Sequence, residues 1–128
     1  MKAIVFYLGL GSLLAHELDA IPNHEWRVLP LIRALPDDMA MQVFIAAHVP
    51  LFAILVAMIA SDNPRIRNNS RAAVSAFLLI HGLLHALFTG HPAYEFSSVV
   101  SNLLIFGGAV LGALYLILEG RDRYVAGA

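Results

Sequence analysis

Six histidines stand out in this 128-residue chain. Four of them, His16, His48, His81 and His85, fall inside apolar stretches, together with Glu17 and Asp19. Imidazole and carboxylate groups are ligands of first-row divalent metals. Ionisable groups in hydrocarbon are costly unless they are paired, ligated or facing water. His81 and His85 are spaced i, i+4 and share one helix face, as do His16 and Asp19 at i, i+3. The expected metal ligands are therefore His16, Asp19, His48, His81 and His85. Glu17, turned about 100° from His16, points to the edge of the same site. A carboxylate there is a candidate catalytic base for metal-bound water, with ligation or support of a ligand as its alternatives. Without metal, the same groups would form a proton-sharing network, Asp19 on His16 and the rest on Asn102, serines or backbone.

Four apolar spans must position these residues: about 3–20, 40–60, 72–88 and 97–118. Each is long enough, or nearly so, to cross roughly 30 Å of hydrocarbon. Pro22, Pro30, Pro36 and Asp37-Asp38 break the first connection, Asp62-Asn63-Pro64 the second and Gly90-His91-Pro92 the third. In antiparallel hairpins with a rise of about 1.5 Å per residue, His16, His48 and His85 lie at one depth, roughly 18–20 Å from the end carrying the termini. His81 falls one turn below and Asp19 one turn above. Ser98, Ser101 and Asn102 reach a similar level on the fourth span.

Composition agrees with an all-α, polytopic membrane protein forming one four-helix domain. Hydrophobic residues make up 59% and charged residues 13%, against about 45–50% and 25% in soluble domains. The mean hydropathy is +0.75. Membrane lipid is thus the expected surrounding. The net charge of −1 gives no electrostatic footprint for nucleic acid. The absence of cysteine excludes disulfides, thiolate metal sites and cysteine nucleophiles. Lys2, Arg65, Arg67, Arg71, Arg121 and Arg123 fall on one side, and only Arg27 and Arg33 on the other. The positive-inside rule then places both termini in the cytoplasm of a bacterial cell and the protein in its inner membrane. The first span lacks a small-x-small cleavage site and reads as a retained helix. Pro50 is tolerable within a membrane helix.

The 21–39 connection, rich in Trp26, Leu29, Ile32 and Leu35, reads as an amphipathic connector at the interface rather than a substrate lid. His24, Glu25, His91 and Glu95 are expected at its solvated rim. Gly108-x-x-x-Gly112 on the fourth span suits close helix packing, either inside the bundle or as a homodimer seam.

His16-Glu17 does not extend to the His-Glu-x-x-His zinc-protease motif, because position 20 is Ala. His81-x-x-x-His85 resembles one histidine box of membrane desaturases and hydroxylases, without their paired adjacent histidines. Membrane hydrolases of the ceramidase and adiponectin-receptor type share the His/Asp chemistry on seven helices. The element His16-Glu17-Leu18-Asp19-Ala20, followed by His24-Glu25-Trp26-Arg27 and His48-Val49-Pro50, resembles the signature of a family of small uncharacterised bacterial four-helix membrane proteins. That resemblance implies no activity.

The expected function is that of a metal-dependent enzyme, a hydrolase or oxidoreductase acting on a lipid-soluble or periplasmic substrate. Zinc and non-haem iron lead as the metal, with copper behind. A haem b electron carrier is the alternative, since histidines on different helices can hold haem. A metal-ion or proton transporter ranks lower, because Ser75 and Tyr7 offer little polar path below His81. A structural subunit would make no use of the cluster.

Overall fold

The computed structural model describes residues 1–127, with the side chains at 123, 126 and 127 outside that description. Arg123, one of the basic residues counted above, is among these. The described chain is all-helical: α1 (Lys2–Ala20), α2 (Asp37–Ile59), α3 (Pro64–Phe88) and α4 (Val99–Gly127), with a 3₁₀ turn at Glu25–Arg27. All four helices are long and apolar enough to cross a membrane.

Local signals explain the boundaries. α3 begins at Pro64, well before the apolar span at 72, because Asn63 caps it, accepting a hydrogen bond from the Arg65 N–H at 2.9 Å. Proline at the first helical position costs nothing there, since its missing N–H would have been an orphan. Ser98 caps α4 by accepting from the Ser101 N–H at 2.9 Å. α4 continues past 118, where Glu119 and Asp122 both receive Lys2 Nζ from the start of α1. This contact shows α1 and α4 antiparallel, with both chain ends on one side. Asp37 and Asp38 in the first turn of α2 complement its dipole, and Pro50 sits inside that helix without ending it.

α4 packs closely on α3 and α1, whereas α2 meets mainly α3 and the 3₁₀ turn. Glycine sets the tight seam. A Cβ on Gly82 would fall 2.6 Å from the Ala109 Cβ, and one on Gly112 would collide with the Ser75 carbonyl and lie 3.0 Å from the Leu78 Cβ. Gly108 faces Leu78 and Ser12. Gly108 and Gly112 are therefore buried within the chain against α3 and α1, the first of the two uses that their spacing suits.

Two apolar clusters result. Phe6, Leu10, Leu13, Val74, Leu78 and Tyr115 belong to the one in the half carrying the termini. Ala20, Trp26, Phe44, Phe96 and Ile105 belong to the one in the loop half. α2 buries only Ala40, Phe44 and Ile59. Its looser fit leaves a cavity of about 570 Å³ against α3, α1 and the 21–36 connection.

Candidate metal centre

The fold gathers His16 from α1, His81 and His85 from α3, and Glu25 from the 3₁₀ turn. One ligand atom from each lies within 4.8 Å of all the others. His85 Nε2 is 3.1 Å from His81 Nε2. Glu25 Oε2 is 3.4 Å from His16 Nε2, and its Oε1 is 3.7 Å from His85 Nε2. Metal–ligand bonds of about 2.0–2.1 Å in a tetrahedron would set donors about 3.3–3.4 Å apart, so these separations bracket that value.

Burial sharpens the case. His16 is 1% exposed, His85 4% and Glu25 6%. Both ring nitrogens of His16, and Oε2 of Glu25, are buried without a hydrogen-bond partner. Leaving such atoms unsatisfied costs about 1–3 kcal/mol each. A cation at the focus of the cluster would satisfy one His16 nitrogen and Glu25 Oε2 and so remove most of that penalty. This buried His/Glu group could hold a metal ion.

The surroundings orient the ligands. His85 Nδ1 hydrogen-bonds the Tyr94 hydroxyl at 3.2 Å, which leaves Nε2 for the cluster. The Phe96 ring lies 5.3 Å from His16 and 4.9 Å from His85, and Phe77 stacks on His81 at 5.2 Å. Burial alone would push the Glu25 carboxyl up. The facing imidazoles of His16 and His85 and the proximity of His81 hold it down at about 2, so Glu25 is an anion.

Of the expected ligands, the structure brings together His16, His81 and His85. His48 stands apart. Its Nδ1 is 2.7 Å from the Phe44 carbonyl, which can only accept, so Nδ1 is the donor. Its Nε2 faces Glu17 Oε2 at 2.9 Å. The looser seat of α2 keeps His48 from the cluster and beside Glu17 instead. Asp19 is also outside: its Oδ2 is buried and unpartnered, and its backbone carbonyl accepts from Asn23. Ser98 and Ser101 hydrogen-bond each other at 2.8 Å, and Asn102 turns to the Ser98 carbonyl.

Glu25 is the residue that sequence reasoning placed wrongly, at the solvated rim. The 21–36 connection is not a plain interfacial connector. It folds inward, with Trp26 2% and Val28 5% exposed. Preceding Glu25, His24 adopts a left-handed backbone (φ 49°, ψ 45°) that turns the chain into the 3₁₀ segment. Around it, Arg27 binds both oxygens of Asp37 and reaches Glu95 at 3.1 Å, and Glu95 also meets His24 Nδ1 at 2.9 Å. The usable signal was Trp26, a large apolar side chain next to the carboxylate in a connection otherwise broken by proline. His91 accepts from the Ala93 N–H in its own turn.

Glu17, Glu25, His48, His81, His85 and Tyr94 all line the α2–α3 cavity, whose remaining wall is apolar. His16 lies behind them. His81, His85 and Glu25 thus border the cavity on which Glu17 also lies. No curated protein and no solved structure matches the chain. Residues 2–122 match a family of unknown function (DUF6713), and the chain belongs to that family.

Proposed function

We propose that this protein is a membrane-embedded, metal-dependent hydrolase that acts on a lipid-soluble substrate. The observation that carries the reading is the convergence of His16, Glu25, His81 and His85 on the wall of an apolar cavity that also holds the Glu17–His48 pair. Three imidazoles and one carboxylate without sulfur suit zinc first, non-haem iron second and copper third. The bound metal would supply an acidified water and a Lewis acid. Glu17 keeps Oε1 free of its contact with His48 and is the group to accept a proton from that water. His48, oriented by the Phe44 carbonyl, holds Glu17 in place. Asp19 has no part in ligation.

The carboxylate beside the cavity favours hydrolysis over oxidation, because metal-based oxygen chemistry does not require a neighbouring base. Haem b fits less well. A porphyrin occupies four equatorial positions and admits two axial ligands, whereas four side-chain donors converge here on one point. Gly82, the one glycine near the third-helix pair, is filled by Ala109 of α4. Transport fits less well too, since the described residues that line the cavity towards the termini (Leu13, Leu51, Leu55, Ala73, Val74 and Phe77) are all apolar. We place the protein in a bacterial inner membrane with both termini cytoplasmic, which sets the centre in the outer half of the bilayer.

The test is elemental analysis and a visible spectrum of detergent-purified protein. Near-stoichiometric zinc, lost in Glu25→Gln and His85→Ala and kept in His48→Ala, is the expected result. Stoichiometric iron would move the reaction to oxidation, and a Soret band would move the protein to haem. Metal-free protein that folds equally well in all variants would overturn the reading.

A further inference from the structure

The cavity also defines a substrate class. Its mouth lies between α2 and α3, where the wall residues Val43, Leu51, Phe77 and Leu84 are between 40% and 54% exposed on the outside of the bundle. In a membrane this opening faces acyl chains, not water. Away from the polar wall the cavity extends in two directions. Towards the termini it runs along Leu51 and Leu55 of α2 and Phe77 and Ala73 of α3, roughly 10–12 Å past His48 and His81. Towards the loops it is roofed by Val28, Leu29, Ile32 and Phe88. The reactive groups thus lie partway along an apolar channel, not at its polar exit.

Charge narrows the occupant further. Among the described residues, two carboxylates, Glu17 and Glu25, line the cavity, and no Lys or Arg does. A phosphate headgroup would meet an apolar roof and no side-chain cation. The volume of about 570 Å³ lies in the range that encloses one drug-sized ligand, which suits one chain rather than two. We infer that the site takes a neutral, single-chain lipid, admitted sideways between α2 and α3, with its polar linkage flanked by hydrocarbon on both sides. Calling that linkage the reacting group rests on the hydrolase reading; the binding itself does not.

Trp26 provides the test. It is the only tryptophan, it is buried between the cavity-lining Glu25 and Val28, and its ring lies 6.1 Å from that of Phe44 on the cavity wall. A brominated long-chain methyl ester titrated into detergent-purified protein should quench Trp26 emission saturably. Brominated phosphatidylcholine at equal mole fraction should quench weakly and without saturation. Ala47→Leu and Ala73→Leu add bulk to the cavity wall at exposed helix positions, where the fold tolerates it. Each should raise the half-saturating ester fraction by about tenfold, the effect of roughly two displaced methylenes. Equal quenching by the phospholipid, or an unchanged titration in both leucine variants, would overturn the inference. The readout needs neither metal nor turnover. Saturable, Leu-sensitive quenching in a protein that binds no metal would support the lipid assignment while removing the hydrolase reading.

Discussion

Glu25 and His16 meet across the start of the first connection, Oε2 3.4 Å from Nε2, both side chains almost fully buried. The pair joins a connecting segment to the interior of α1 and makes Glu25 a member of the histidine cluster. Replacing Glu25 by Gln keeps its shape and removes the anion that balances a cation. Metal affinity should fall by at least about tenfold to a hundredfold, the loss that even indirect partners of a ligand cause. Competition with a chelator, followed by elemental analysis, measures it. Unchanged affinity would remove Glu25 from the ligand set.

Glu17 and His48 should separate chemistry from metal binding. Glu17→Gln is expected to retain full metal content and to lose about 10²–10⁴-fold in hydrolysis of a neutral long-chain ester, the usual scale for a lost base. His48→Ala should also retain the metal, with a smaller loss in rate. Loss of metal in Glu17→Gln would instead make Glu17 a ligand.

The α3–α4 seam predicts a contrast between glycines. Gly82→Ala sets a Cβ 2.6 Å from Ala109 and should destabilise the protein by about 1–3 kcal/mol, the range for overpacking. Gly107→Ala meets open space and should be neutral. Thermal unfolding in detergent compares them, and equal midpoints would contradict the close approach.

The loop network should be acid-sensitive. Hydrogen bonding from His24, with Arg27 nearby, holds the Glu95 carboxyl below the usual carboxylate range. A lowered folded-state pKa contributes stability above the ordinary carboxylate value, and that contribution is lost as pH falls through the lowered one. Trp26 donates to Asp37 Oδ1 at 2.9 Å within the same network. Its emission should hold steady from pH 7 to about 5 and shift to the red only below about 4, near the ordinary carboxylate value. Arg27→Ala should move that shift to higher pH. A red shift centred near pH 6 in the parent protein would point to imidazole instead.

Reading the sequence was enough to find four helices, their order and the i, i+4 pairing of His81 with His85. These follow from local regularities: the length of an apolar run, a fixed rise per residue and the repeat of side-chain directions along a helix. The same regularities put His16 at the level of His85. They also put His48 there but could not give its partner, because depth along a helix says nothing of how far that helix stands from its neighbours. That distance depends on packing. Glycines bring α3 against α4, while α2 buries few residues and leaves a cavity where His48 turns to Glu17. Glu25 was missed for a different reason. A connection has no repeat from which to infer direction, and only the left-handed turn at His24, the burial of Trp26 and the Arg27–Asp37 clamp carry its carboxylate inward. The helices and their histidines were written in local sequence; the company those histidines keep was decided by contacts between residues far apart in the chain.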